Sequence, residues 1–366
     1  MSTLHSHTLT SISVVQVSCS LVRLQQQETT LKDNKIINYA FQVVGPLVLS
    51  GLILWWMYRG FDWDEFFEAL TYHTDWTWML LSMPFGVTAQ VFRALRWKQA
   101  LEPVQEHPRT TVCINSVYLS YAASLVIPRI GEVLRCGVLS RYDGTSFSKS
   151  LGTVVTERIV DSVFVVLLAG FTILFQMPVF VTFFRQTGVS VVGVLQGFSL
   201  TGYIVTIVCV LAFILLLAWL VKRLSVFKKT RNVFVDLRDG LISLRKIKSV
   251  PLFLFYTIGI WLSYYLHFYF TFFCFESTSS LGMSAALVAF VVGCFAVLVP
   301  TPNGAGPWHF AVKTVLLLYG VQAQDGVMFV LTVHTLQTLL VLVLGLYAIV
   351  RLQFIRRIPR QAVSHP

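Results

Sequence analysis

Charged residues are scarce in this chain of 366 residues, where Asp, Glu, Lys and Arg together make up 12%. A soluble globular domain carries roughly 25%, so the composition excludes an ordinary soluble enzyme. Hydrophobic residues make up 55% and fall in continuous runs rather than in the alternating pattern of a β-barrel. The sequence therefore predicts an all-α polytopic membrane protein.

The sequence also lacks the common catalytic motifs. It has no phosphate-binding glycine loop, no His-Glu-x-x-His motif and no Gly-x-Ser-x-Gly motif. Its six cysteines include no Cys-x-x-Cys pair, so they predict neither a zinc site nor a disulfide framework. The net charge of +11 is typical of basic cytoplasmic loops in a membrane protein. We therefore expect no metal, no cofactor and no nucleic-acid partner.

Apolar segments divide the chain into a membrane domain and two tails. Residues 1–37 lack a strong apolar run and predict a cytoplasmic tail, or a stretch that precedes a later translation start. Residues 38–350 form the predicted transmembrane domain and 351–366 a basic cytoplasmic tail. The predicted full spans are 38–58, 76–97, 151–175, 202–221, 252–275 and 327–350.

Two further stretches, 112–139 and 285–319, are apolar but interrupted by proline, glycine and charged residues. Such breaks are tolerated at membrane depth only where the backbone is buried in protein or lines a wet cavity. The halves of the first stretch are too short for a bilayer of about 30 Å, which favours a re-entrant hairpin. The second stretch is longer, so either a hairpin or two tilted spans fits it.

The charges between spans set the orientation. Residues 59–75 carry one base and five acids, whereas residues 222–251 carry nine bases and two acids. The positive-inside rule then makes both termini cytoplasmic. It also makes each broken stretch enter and leave on one side, the first from inside and the second from outside. Two broken elements of opposite orientation predict an inverted repeat with a substrate site between them.

The first candidate site follows Pro128, where Arg129, Glu132 and Arg135 are three residues apart on one helical face. Charges at bilayer depth must be paired or hydrated. Glu132 can pair with either arginine, which leaves a net positive site suited to a phospholipid phosphate. The alternatives are an internal ion-pair cluster that only holds the hairpin together, and a location at the cytoplasmic surface.

The second candidate site comprises Glu157, Arg158 and Asp161, at the start of the very apolar span 151–175. Glu157 and Asp161 are four residues apart and share a helical face. Either these charges are hydrated at the inner membrane interface, or they pair with Arg129 or Arg135 and complete a polar cavity.

The third candidate site is the proline- and glycine-rich segment 300–309. Asn303, Gly304 and Gly306 precede a predicted helix start, where freed backbone N–H groups could approach an anionic ligand. His309 on that helix could donate to a phosphate or carry a proton. The alternative is a conformational break with a core histidine.

Arg93 and Arg96 lie at the predicted cytoplasmic end of span 76–97, beside Trp97. This pattern is typical of an interfacial anchor whose arginines reach water. We therefore expect loss of Glu132 to cost more stability than loss of Arg96, because Glu132 would leave two buried cations unpaired.

Together these motifs resemble the lysylphosphatidylglycerol synthase transmembrane-region family, also called flippase-like domain proteins, over roughly residues 36–350. The resemblance rests on Arg93-x-x-Arg96-Trp97, Pro128-Arg129-x-Gly131-Glu132-x-x-Arg135, Glu157-Arg158-x-x-Asp161 and Pro300-x-Pro302-Asn303-Gly304-x-Gly306. It implies a lipid flippase or transporter of a bacterial inner membrane that handles an anionic or isoprenoid-type lipid. We expect a membrane lipid as the substrate and lipid-synthesis enzymes as partners.

The chain departs from the family in two ways. Its 366 residues hold no soluble aminoacyl-transferase domain, so we expect no lipid aminoacylation. His309 stands where the family has an acidic residue, which implies a different headgroup. We favour a transporter over an enzyme. The alternatives are an intramembrane lipid-linked glycosyl or other group transferase, with Glu132, Glu157 or Asp161 as base, and an accessory protein of envelope lipid synthesis.

Overall fold

The computed structural model describes residues 47–72, 74–127, 130–176, 247–299 and 301–358. Within these ranges the chain is helical, with one isolated β-bridge between Thr74 and Phe275, which confirms the all-α class. The predicted span 202–221, the tail 1–37 and the candidate residue Arg129 lie outside the described residues. The described helices are α1 Leu47–Tyr58, α2 Trp63–Tyr72, α3 Trp76–Leu101, α4 Thr110–Ser124, α5 Ile130–Asp143, α6 Phe147–Phe175, α7 Val250–Thr271, α8 Glu276–Ser279, α9 Met283–Ala296, α10 Pro307–Leu318 and α11 Ala323–Gln353.

Long helices match the predicted spans. The helices α6, α7 with the short turn that extends it, and α11 are each long and apolar enough to cross a membrane. The helix α3 has 26 residues, about 39 Å at 1.5 Å per residue, but arginines in its second half lower its hydropathy. Four long helices therefore form the frame of the described structure.

The two broken stretches are hairpins of short helices. The first pairs α4 with α5, of 15 and 14 residues, and the second pairs α9 with α10, of 14 and 12 residues. All four helices are shorter than the roughly 20 residues needed to cross a bilayer. In the first hairpin, Arg109 before α4 contacts Asp143 at the end of α5 through Nε at 2.6 Å. This hairpin therefore enters and leaves at one end of the molecule.

Among the described helices from α3 onward, a long helix, a hairpin and a second long helix (α3, α4–α5, α6) are followed by a similar set (α7, α9–α10, α11). The first helices of the two units pack antiparallel, because Gly86 faces His267 while Arg96 donates to Thr257 at 3.4 Å. This arrangement agrees with the inverted repeat that the charge pattern predicts.

The last helix, α11, contacts both hairpins. Tyr118 of α4 packs on Tyr347 in the C-terminal half of α11, with ring centres 6.5 Å apart. Trp308 of α10 packs on His334 in the N-terminal half, with ring centres 5.3 Å apart. The two hairpins therefore pack against opposite halves of α11.

Charges distinguish the two ends of the molecule. One end, called here the basic end, carries Lys98 and Lys248 and the contact of Arg109 with the carbonyl oxygen of Arg356 at 2.9 Å. The opposite end, called the acidic end, carries residues such as Asp75, whose N–H donates to the carbonyl oxygen of Cys274 at 2.9 Å. The start of the C-terminal tail thus lies at the basic end, as the charge pattern predicts.

Glycines shape both hairpins. A side chain on Gly131 would collide with the carbonyl oxygen of Ser120, so only glycine lets α5 lie this close to α4. The tip of the second hairpin is a tight turn with positive φ at Asn303 (52°), Gly304 (72°) and Gly306 (89°). Residues 301–306 therefore form a defined turn before α10.

Candidate functional site

Charged side chains from α3, α5 and α6 form one buried ion-pair network. Asp161 accepts from Arg93 Nη1 and from Arg96 Nη2, each at 2.7 Å. Glu157 accepts from Arg135 Nη1 at 2.8 Å, and its other oxygen lies 3.4 Å from Arg96 Nε. Since these side chains are almost wholly removed from solvent, each needs its partners to remain charged.

Two more residues extend this network toward solvent. Glu132 lies 3.1 Å from Arg158 Nε and 3.9 Å from Arg135 Nη2, and Arg158 Nη2 lies 3.7 Å from Asp161. The side chains of Glu132 and Arg158 are 29% and 42% exposed. The network holds four arginines and three carboxylates, so it carries a formal charge of +1. Arg158 is its most exposed cation.

The interfacial-anchor interpretation of Arg93 and Arg96 is wrong. Their side chains are 4% and 0% exposed, and both hold Asp161. The helix α3 continues to Leu101, beyond the predicted end at residue 97, so the arginines lie deeper than expected. From the structure we instead expect loss of Arg96 to cost more stability than loss of Glu132, because Arg96 is buried while Glu132 is partly exposed.

A cavity of about 480 Å³ lies between the two hairpins. It is lined by the middle parts of α3, α6, α7 and α11, by Tyr121 of the first hairpin, and by the second hairpin. A volume of this size is typical of sites for small molecules or headgroups. Its lining includes the side chains of Gln90, Arg93, Arg158, Asp161, Val166, Trp261, Val297, Leu298, Asn303, Trp308, His334 and Gln337.

The two ends of the cavity differ in polarity. Toward the basic end its lining is ionic, with Arg93, Arg158 and Asp161. Toward the second hairpin it carries neutral polar groups. There, His334 Nε2 donates to the carbonyl oxygen of Asn303 at 3.1 Å, which defines a neutral polar end. Apolar and aromatic side chains make up most of the remaining wall.

Within the described part of the chain, the cavity opens sideways between α6 and the tip of the second hairpin. Val166, Val297 and Leu298 line it there and are 62%, 50% and 63% exposed. Among the described residues the cavity thus has a charged interior and an apolar rim.

The predicted site residues fall into three groups. Arg158, Asp161 and Asn303 line the cavity. Glu132, Arg135 and Glu157 lie behind it in the ion-pair network, so pairing across helices replaces the hydrated-interface alternative. The third group, Gly304, Gly306 and His309, forms the tip of the second hairpin.

The backbone N–H groups at the tip of the second hairpin donate to acceptors within the tip. Those of Gly304 and Ala305 donate to carbonyl oxygens of the turn, and that of Gly306 donates to His309 Nδ1 at 3.2 Å. The expectation that these N–H groups face a ligand therefore does not hold in this structure. His309 caps the start of α10, and its ring centre lies 4.4 Å from that of His334.

Sequence reasoning missed Gln90, Trp261 and His334, which line the cavity from α3, α7 and α11. Each carries an uncharged polar group in the interior of a long helix. A polar side chain in the middle of a predicted span can indicate a cavity residue, since an ionisable or amide group at that depth is costly without a partner.

Two short hairpins of opposite orientation around a polar cavity define an α-helical membrane protein of the kind that contains paired broken helices. The family model described as Lysylphosphatidylglycerol synthase TM region matches residues 43–345. The match covers most of the chain, which therefore belongs to this family. No curated protein and no solved structure matches this chain.

Proposed function

We propose that this protein is a lipid flippase or lipid transporter that handles an anionic or isoprenoid-type lipid. The observation that carries the proposal is one cavity with an excess positive charge at one end and an apolar rim at its side. Such a cavity suits a lipid whose headgroup enters the protein while its chains stay in the bilayer.

Arg158 is the residue best suited to hold a phosphate. It lines the cavity, is partly exposed and is the network cation that a ligand reaches most easily. A phosphate oxygen that binds Arg158 replaces the contact with Glu132 by an equivalent charge-assisted one. The exchange keeps Arg158 paired, so a headgroup enters without leaving a buried charge alone.

The two hairpins supply the means of alternating access. Each packs against one half of α11, and the cavity lies between them. Movement of one hairpin relative to α11 opens the cavity toward one side, and movement of the other opens it toward the opposite side. Paired broken elements around a central site are a recurrent basis of transport.

The membrane and the orientation are also part of the proposal. We place the protein in a bacterial inner membrane with the basic end and both termini in the cytoplasm, since basic loops stay on that side. Its partner is a membrane lipid, supplied by lipid-synthesis enzymes.

The transferase alternative needs a carboxylate free to act as a base. In the described residues, Glu132, Glu157 and Asp161 are all ion-paired with arginine, and Glu157 and Asp161 are buried. A catalytic role would require one of them to leave its partner. This observation favours transport over group transfer.

The test uses the purified protein in liposomes with a labelled anionic phospholipid and no nucleotide. Arg158→Gln should slow transbilayer movement about tenfold or more, because a charge-assisted contact is lost. Arg141→Gln is the matched control, since Arg141 is exposed near the end of α5 and away from the cavity. A modified lipid that appears only with an added donor would favour the transferase. Absence of both movement and product would favour an accessory role.

A further inference from the structure

The histidine at the start of α10 accepts a hydrogen bond from the backbone of its own hairpin. His309 Nδ1 lies 3.2 Å from the backbone nitrogen of Gly306, and His309 is buried. A backbone N–H group can only donate, so Nδ1 carries no hydrogen and the ring hydrogen of His309 is on Nε2. The observed contact therefore requires an uncharged imidazole.

Protonation of His309 would remove this contact. An imidazolium carries a hydrogen on both ring nitrogens, so Nδ1–H would face the N–H group of Gly306. Both donors would then be buried without an acceptor, which disfavours the observed turn. A proton on His309 therefore favours any conformation in which the turn moves away and the ring reaches water.

Two other histidines would respond differently to a proton. His334 Nε2 donates to the carbonyl oxygen of Asn303 at 3.1 Å, and His267 Nδ1 donates to that of Ser82 at 2.8 Å. A carbonyl oxygen can only accept, so each of these ring nitrogens already carries a hydrogen. A proton added to the second nitrogen of either ring leaves its contact in place. Of these three histidines, only His309 makes a contact that protonation would remove.

His334 connects this site to the cavity. It lines the cavity, and its ring centre lies 4.4 Å from that of His309. Two positive rings at this separation would repel each other, so the pair is suited to hold a single proton. The position of His334 gives a proton in the cavity a path to His309.

The titratable groups that face His309 from its own and neighbouring helices ionise in another pH range. The ring of Tyr58 in α1 lies edge-on to His309 with centres 6.2 Å apart, and Lys313 follows one turn along α10. Cys294 of α9 lines the cavity together with His334. Tyrosine, lysine and cysteine have ordinary pKa values above 8, whereas that of histidine is about 6.5. In the described part of the chain, neither histidine forms an ion pair with an acid.

The turn that would move forms part of the cavity wall. Asn303 lines the cavity, and its Nδ2 donates to Thr338 Oγ1 of α11 at 2.7 Å. The contact between Gly306 and His309 holds the other end of the turn against α10. Loss of that contact loosens the turn at one end, and a displaced turn changes the shape of the cavity.

We infer that His309 is a proton-binding site, and that a proton bound there releases the turn of the second hairpin from its closed position. The inference rests on the proposed function, because it names what controls the movement of one of the two hairpins. The ligand that shifts the cavity between its states is then the proton.

The test measures the position of the turn itself and requires no lipid movement. Nitroxide labels are attached to Leu298→Cys, three residues before the turn, and to Val343→Cys in α11. Both positions are exposed, at 63% and 60%, so a label fits at each. The full-length protein, with its six native cysteines replaced by serine, is placed in liposomes of neutral lipid. Pulsed electron paramagnetic resonance then gives the distance between the labels at pH 8 and pH 5.5.

A second distance should gain population at the lower pH. A histidine that reaches water binds its proton with a pKa of about 6.5. A ligand that binds one state alone raises the population of that state according to its concentration. Because the closed turn excludes the proton and the open turn admits it, the ratio of open to closed protein should rise about tenfold from pH 8 to pH 5.5.

Variants assign the shift to one histidine. His309→Asn removes the proton site and keeps the hydrogen bond, because the amide oxygen replaces Nδ1 as the acceptor for Gly306. It should show the closed distance at both pH values. His267→Asn is the matched control, since its amide N–H can still donate to Ser82, and the acid-induced shift should remain. If His309→Asn does not fold, His309→Gln offers the same acceptor on a longer side chain and takes its place.

The distances decide the inference independently of transport. A shift in the wild-type protein and in His267→Asn that is absent from His309→Asn supports it. Equal distances at both pH values in the wild-type protein, a shift that persists in His309→Asn, or a shift lost from both variants overturns it. Movement of a labelled anionic lipid in the same liposomes tests the flippase proposal. A shift without lipid movement removes the flippase proposal alone, and lipid movement without a shift removes the proton site alone.

Discussion

Replacing Asp161 by Asn should destabilise the protein far more than replacing Glu132 by Gln. Both changes turn a carboxylate into an amide of the same shape and remove one negative charge from the same network. They differ in burial and partners. The Asp161 side chain is 9% exposed and accepts from two arginines at 2.7 Å, whereas that of Glu132 is 29% exposed with its nearest arginine atom at 3.1 Å.

The magnitude follows from that difference. Breaking a buried ion pair costs about 3–5 kcal/mol, because the remaining charge is left without its partner. A partly exposed pair contributes about 0–1 kcal/mol, since water replaces the lost contact. The expected gap is about 3 kcal/mol, or roughly a hundredfold in the ratio of folded to unfolded protein.

The assay is equilibrium unfolding of the purified protein in mixed micelles, followed by the fluorescence of its nine tryptophans. Adding Arg93→Gln to Asp161→Asn should recover part of the loss, because the double variant no longer contains the unpaired Arg93. Equal losses for Asp161→Asn and Glu132→Gln would refute the reasoning, since they would mean that water reaches both carboxylates alike.

Two further predictions concern packing and topology. Gly131→Ala should sharply lower the yield of folded protein, because the new side chain would collide with the carbonyl oxygen of Ser120 and keep α5 away from α4. The control Gly137→Ala lies in the same helix and should fold normally, since no atom lies within 4 Å of the added carbon. A reporter enzyme fused after Arg360 should report a cytoplasmic C-terminus, and a periplasmic signal would overturn the orientation drawn from the charges.

The fold was largely predictable because membrane-spanning segments can be recognised from their length and hydropathy. The spans 151–175, 252–275 and 327–350 coincide with α6, the extended α7 and α11 to within a few residues at most ends. The hairpins were predictable for a different reason: proline and glycine interrupt 112–139 and 285–319, and the halves left over are short. The choice between a hairpin and two spans for the second stretch needed the structure, which shows helices of 14 and 12 residues.

The candidate site was predictable in composition but not in pairing. Spacing along a helix identifies Glu157 and Asp161 as neighbours on one face, yet says nothing about which arginines of other helices reach them. The failure at Arg93 and Arg96 has a clear physical cause. An arginine near a span end is stable either by reaching water or by pairing with a buried carboxylate, and the local sequence is the same in both cases.

Charge balance connects the stability of the network to its proposed use. Four arginines with four carboxylates would be neutral and would attract no anion, whereas arginines without carboxylates would not remain buried. With three carboxylates, Asp161 and Glu157 hold Arg93, Arg96 and Arg135 in place, and the excess falls near Arg158 at the cavity wall. A phosphodiester headgroup brings one negative charge. Its entry would neutralise the single excess positive charge, and a headgroup that added an amine would restore it.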